Sequence, residues 1–105
     1  AILRKVLTGD NGITARYLAL DPITEVFDTT PDALQRRFAR NAPPLAETAA
    51  RRALDRAGLA VADVDALIVS TCTGYLCPGL TSYVSERLGL RPDTVLLDLV
   101  GQGCG

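Results

Sequence analysis

The sequence predicts an α/β fold organised on a parallel pair of strands, and three observations carry that expectation. Two runs, Val64–Thr71 (VDALIVST) and Thr94–Val100 (TVLLDLV), are largely apolar, as strands covered on both faces are. A helical segment, Leu80–Leu88, lies between them, and strand–helix–strand order implies parallel pairing through a right-handed crossover. With 105 residues, 48% hydrophobic and 22% charged, the chain suits one modest soluble core and is too short for two ordinary domains.

In chain order, Ala1–Leu7 sets Ile2, Leu3, Val6 and Leu7 at helical spacing, as the last turns of a helix that begins upstream. Asp10-Asn11-Gly12 is a turn signal, because Asn and Gly tolerate positive φ. Ile13–Leu20 (ITARYLAL) alternates as a strand does, and Asp21-Pro22 ends it. Thr29-Thr30-Pro31-Asp32 offers a helix start: a hydroxyl for the N-cap, proline in the first turn, a carboxylate at the positive end of the dipole. Pro43-Pro44 predicts a kink or a break, since each proline removes a donor and crowds the preceding turn. Leu45–Ala57 is the clearest helix, with Leu45, Ala46, Ala49, Ala50, Ala53, Leu54 and Ala57 on one apolar face. Glu47 with Arg51, and Arg52 with Asp55, are helix-spaced pairs on its wet side, and Gly58 is the stop. Thr73–Gly79 is a loop and Gly89–Pro92 a turn. The final strand, apolar apart from Asp98, opens onto Gly101-Gln102-Gly103-Cys104-Gly105 with no covering element after it, so the sequence reads as a piece of something larger, open at both ends.

Composition narrows the function. A net charge of -1 supplies no general attraction for nucleic acid or an anionic membrane surface. No apolar run approaches the ~20 residues of a membrane span, and the start lacks the form of a secretory signal, so the cytoplasm is the expected compartment. Three cysteines are an odd number, and Cys72, Cys77 and Cys104 are expected as free thiols. Four residues separate Cys72 from Cys77, which fits neither a thioredoxin-type pair nor a zinc knuckle, so no metal is expected. Histidine is absent, and with it the commonest base partner of a reactive thiol.

The terminal glycine segment admits three readings. As a dinucleotide loop it is weak: Gly101, Gly103 and Gly105 give G-x-G-x-G instead of G-x-G-x-x-G. As a structural turn it needs only a small buried cysteine, and taken alone this reading prevails. As the seat of a nucleophile it has a physical warrant, because backbone amides at a strand-to-helix junction stabilise a thiolate. Flanking glycines also leave room for a substrate carbonyl and its oxyanion.

A second motif shifts that balance: Val69-Ser-Thr-Cys-Thr-Gly-Tyr-Leu-Cys-Pro-Gly-Leu80, a short helix, Leu88-Gly-Leu-Arg-Pro92, a strand, then Gly103-Cys104. In this order and spacing the chain resembles the type III polyketide synthases, the chalcone and stilbene synthase family, in a bacterial-type form. Gly12-Ile-Thr-Ala-Arg-Tyr17 and the alanine-rich helix fall in place as well, so the resemblance covers essentially all 105 residues.

The resemblance implies a thiolase-like layered fold (α-β-α-β-α) with a mixed sheet and covering helices, acting as a homodimer. Residues 1–105 correspond to part of its N-terminal half, and the family's histidine and asparagine lie downstream. Cys104 falls on the acyl-carrying cysteine. Cys72 and Thr73 fall on positions lining the starter and cyclisation pocket, and Cys77 where a side chain reaches across the dimer interface. Arg4 and Lys5 lie near the family's coenzyme A phosphate contacts without aligning to them. The implied reaction condenses a starter acyl-CoA with malonyl-CoA through a cysteine thioester and needs no cofactor beyond those thioesters. This stretch by itself is expected to be inactive. The alternatives are an initiating 3-ketoacyl synthase of fatty-acid synthesis, which takes its extender on acyl carrier protein, and a non-catalytic thiolase-like binding module.

Overall fold

The computed structural model describes residues 15, 17–20 and 22–101. Its regular elements are α1 (Pro31–Ala57), β1 (Ala66–Thr71), α2 (Leu80–Leu88) and β2 (Val95–Val100), with short 3-10 turns at Ile23–Phe27 and Val61–Asp63. The strands pair in parallel, with Ala66 opposite Val95 and Thr71 opposite Val100. This is the α/β arrangement that the strand–helix–strand order predicts. The helix between the strands has the expected bounds, and both helices stop at glycines in the left-handed region, Gly58 (φ 67°) and Gly89 (φ 71°).

The core forms where α2 lies on the sheet and against α1. Leu80, Val84 and Leu88 are its buried centre, spaced so that one face of α2 is apolar, and Val84 is 0% exposed. Leu67 and Val69 from β1 pack on this cluster, as do Phe38, Ala42, Ala46 and Ala50 from α1. Those four recur every fourth residue, so small side chains bring α1 close to α2 along a single stripe.

Several expectations change. The helix start at Pro31 is as predicted, but the Thr30 hydroxyl does not cap it; Thr30 donates both its N–H (3.2 Å) and its hydroxyl (2.8 Å) to Asp28 Oδ1. Pro43 and Pro44 do not break the helix, which runs 27 residues through them. The carbonyls they leave without donors belong to the exposed residues Ala39 and Arg40, within reach of water, while Pro43 is itself buried. The predicted apolar face of Leu45–Ala57 is only partly used: Ala46, Ala50 and Leu54 are half-buried, whereas Leu45, Ala49 and Ala53 are exposed. The strand expected over 13–20 is absent at the described residues 15 and 17–20, which have no ladder partner. The helical turns expected at Ala1–Leu7 lie outside the described residues. Burial in β1 alternates, with Ala66, Ile68 and Ser70 exposed, so among the described residues helices cover one face of the sheet, not two.

Arginines fasten the elements together. Arg91, from the Leu88–Pro92 motif, donates to Asp65 Oδ1 (2.9 Å), Asp93 Oδ1 (3.0 Å) and the Ala62 carbonyl, anchoring the entries to both strands. Arg37 donates to the Asp28 (2.7 Å) and Glu25 carbonyls and holds the Ile23–Phe27 turn on α1. Glu47 meets Arg51 within α1 (3.0 Å) and Arg87 of α2 (3.1 Å), so this charge pair is a tie between helices as well as a wet face. Hydrogen bonds from Arg51 and then Arg87 hold the Glu47 carboxyl below the ordinary glutamate range.

Two outcomes follow for stability. Leu88→Ala should lower the urea midpoint at unchanged m-value, with a loss of about 2–5 kcal/mol. Because the pKa of Glu47 is depressed on folding, its contribution is present above the ordinary glutamate range and disappears as pH falls through the lowered value. Glu47→Gln should therefore weaken the protein slightly at neutral pH and reduce the slope of its acid unfolding curve. The effect should shrink with added salt.

Candidate functional site

In a parallel pair, the segments that follow the two strands leave from the same end of the sheet, where α/β proteins place their ligands. Here β1 ends at Thr71 and runs into Cys72, while β2 ends at Val100 and runs into Gly101. Gly101 donates its N–H to the Thr71 carbonyl (3.0 Å) and takes φ 72°, which turns the chain away from the ladder at that point. Residues 102–105, including Cys104, lie outside the described residues.

The loop 72–79 brings Cys72, Thr73 and Cys77 together at this end, all three exposed. It carries no charged side chain. Two hydrogen bonds and a cis peptide mark its path. The Thr73 N–H donates to Thr71 Oγ1 (3.3 Å), Gln35 of α1 donates to the Tyr75 carbonyl (2.5 Å), and the Cys77–Pro78 peptide is cis. Gly74 sits directly on the Phe38 ring, where a Cβ would come within 2.6 Å of Cγ. Tyr75 is 64% exposed, so among the described residues its ring points away from the core.

Beside the loop lies an apolar groove of about 430 Å³, lined by Leu18, Leu20, Leu34, Phe38, Leu45 and Thr73 among others. Thr73 is the one loop residue at its wall, while Cys72 and Cys77 are not part of the lining. The groove suits an apolar chain, and a ligand there would lie next to the loop hydroxyl. The site so described contains no carboxylate and no histidine, and its one charged lining residue is Arg37. The nearest strand carboxylate, Asp98, is engaged by Thr81, accepting from its N–H (3.1 Å) and its hydroxyl (2.5 Å). Among the described residues no group of three or more metal-ligating side chains gathers, and no helix is long and apolar enough to cross a membrane.

Sequence reasoning finds the loop residues but not Phe38, Gln35 or Asp98. For Asp98 a signal exists in the lone charge within an apolar strand. For Phe38 the signal is the four-residue stripe it begins with Ala42, Ala46 and Ala50.

No family model matches the chain. It is 33% identical over 103 residues to the phloroglucinol synthase of Pseudomonas fluorescens, covering 97% of this chain and 29% of that protein. Its structure resembles germicidin synthase from Streptomyces coelicolor, a type III polyketide synthase, with a TM-score of 0.62 and 42% identity. That match covers 66% of this chain and 18% of the other. A shorter stretch of 56 residues is 43% identical to a beta-ketoacyl-[acyl-carrier-protein] synthase III of Alkalilimnicola ehrlichii, covering 52% of this chain and 17% of that protein. The chain thus spans less than a third of the length of the relatives it matches.

The contact of Gly74 with Phe38 yields a test of the loop's seating. Gly74→Ala should cost about 1–3 kcal/mol by overpacking, read from the urea midpoint. Adding Phe38→Leu should recover part of that loss, although Phe38→Leu alone destabilises.

Proposed function

The chain belongs to the type III polyketide synthases, and on that premise we propose that the full-length protein condenses a starter acyl-CoA with malonyl-CoA through a thioester on Cys104. The observation that carries this reading is the parallel register. It sends the Cys72–Gly79 loop and the chain at Gly101, three residues before Cys104 in the sequence, out of the same end of the sheet, beside an apolar groove.

In this reading the Cys104 thiolate attacks the starter thioester, and the coenzyme A thiolate leaves. Malonyl-CoA loses carbon dioxide, and the resulting enolate attacks the acyl group on Cys104. A carbon–carbon bond forms and the thiolate is released. Repeated extension and cyclisation give a pyrone, a resorcinol or a similar ring. Glycine neighbours would let a substrate carbonyl approach the cysteine and nearby backbone N–H groups, and by the family resemblance the histidine and asparagine come from downstream of Cys104. Thr73 meets the acyl chain where it lies in the groove. Cys72, beside Thr73 at the start of the loop, lies outside the groove's lining, and its place on the starter pocket is what the family resemblance implies. Cys77 faces the partner subunit of a homodimer, where a small side chain leaves room for a longer or bulkier starter.

The likeness to a beta-ketoacyl-[acyl-carrier-protein] synthase III favours a second reading, in which the extender arrives on a carrier protein. The two part on the malonyl donor. On the proposed reading the full-length protein releases carbon dioxide and forms product from a starter acyl-CoA and malonyl-CoA without any carrier protein, whereas a requirement for malonylated carrier protein supports the other enzyme. Cys104→Ala should abolish product formation, and acyl-CoA should protect Cys104 from iodoacetamide in peptide mass mapping. Labelling of the three thiols that acyl-CoA leaves unchanged would point instead to a non-catalytic module. Residues 1–105 in isolation should not turn over.

A further inference from the structure

The described carboxylate closest to the loop is not free, and what it holds is informative. Asp98 sits in β2 opposite Val69 of β1, on the face of the sheet that α2 covers. Its two oxygens accept from Thr81, one from the N–H (3.1 Å) and one from the hydroxyl (2.5 Å), and Thr81 is 1% exposed. Thr81 lies in the first turn of α2, immediately after the loop. The carboxylate thus takes the place of an N-cap: Gly79, at the cap position, has no side chain to supply one. It also limits residue 79, because a Cβ built on Gly79 would collide with the Asp98 carboxylate.

Asp98 therefore meets the loop at its Gly79 end and is tied by the ladder to the strand that precedes its other end. It is paired in register with the strand that leads into Cys72, and bonded to the turn that receives the chain after Pro78. In the sequence it precedes Cys104 by six residues. We infer that Asp98 is a positioning residue, which through Thr81 and Gly79 fixes the exit of the Cys72–Gly79 loop relative to β2 and so sets how the starter is seated. This rests on the proposed function, in which the loop is a wall of the starter pocket.

A residue that only stabilised the fold would change the amount of competent enzyme and nothing else. A positioning residue changes the behaviour of each competent site. The test uses the full-length protein, with competent sites counted by the burst of Cys104 acylation from acyl-CoA. Asp98→Ala should raise the KM for the acyl-CoA starter by about tenfold, the factor set by loss of a charge-assisted hydrogen bond, and shift the ratio of products. Its kcat per acylated site should stay within about twofold. Asp98→Asn keeps the shape and one acceptor, so it should fold and give an intermediate KM; it serves where the alanine variant does not fold. Gly79→Ala attacks the same contact from the loop side and should reproduce the KM rise. Combined with Asp98→Ala it should add nothing, since the carboxylate it would strike is gone.

Wild-type KM and product ratio per competent site in Asp98→Asn and Gly79→Ala would overturn the inference, as would additive effects in the double variant. A wild-type protein that releases no carbon dioxide from malonyl-CoA would overturn the proposed function, and this inference with it. Active wild-type protein with unchanged variants overturns the inference alone.

Discussion

The parallel ladder between β1 and β2 is the constraint on which the remaining geometry hangs. Parallel strands cannot be joined by a tight turn, so the chain must leave β1, cross the sheet face and return to the start of β2. Here that return path is the loop 72–79, the helix α2 and the turn at Gly89–Asp93. The helix covers one face and supplies the buried centre, while the loop is left at the far end of the strands beside Gly101. The other end is secured separately: the Thr94 hydroxyl donates to the Val64 carbonyl (3.2 Å), and Val95 N–H to the Asp65 carbonyl (2.9 Å). With Arg91 anchored there, the ladder is fastened at its entry by side-chain as well as backbone bonds.

The long helix α1 adds the second wall. Its stripe Phe38–Ala42–Ala46–Ala50 passes across Pro43 and Pro44, so packing on α2 continues on both sides of the prolines. A helix held along its length by tertiary contacts can lose two internal hydrogen bonds that an isolated helix could not spare. The N-terminal half then reaches the loop, where Phe38 lies beneath Gly74 and Gln35 binds the Tyr75 carbonyl. Without the turns before Pro43, the loop would have no back wall and the groove no floor.

What the sequence made legible follows from this arrangement. Glycine stops at Gly58 and Gly89, the Pro31 start and the bounds of α2 are local signals, each set by backbone conformation or by capping. Parallel pairing was readable because strand–helix–strand order leaves little alternative. The clustering of Cys72, Thr73 and Cys77 was readable because they share one loop. The errors are of the opposite kind. The stretch Ile13–Leu20 has the alternation of a strand, but its described residues 15 and 17–20 have no partner among the described residues, and local pattern does not supply one. Pro43-Pro44 has the signature of a break, overridden by a contact stripe that is visible only once α2 is in place. The groove joins Leu18 and Leu20 to Phe38 and Thr73, residues whose separation along the chain hides their proximity.

Asp98 shows why the polar member of an apolar strand repays separate attention. A carboxylate placed against the core loses hydration, and that loss is tolerable only when its oxygens find donors. Thr81 provides both, at the end of α2 where the helix dipole also favours a negative charge. The arrangement is mutually dependent. Removing Asp98 leaves a hydroxyl and an N–H without partners in a site closed to water, and adding a methyl at Gly79 drives into the carboxylate. Replacing Thr81 strands the charge. A leucine at position 98 would satisfy the strand's apolar pattern but could not hold the start of α2, and would leave the loop's exit free to slide along the sheet. The polar contact thus supplies direction where apolar packing supplies only adhesion, at the one point where the loop meets the strand leading to Cys104.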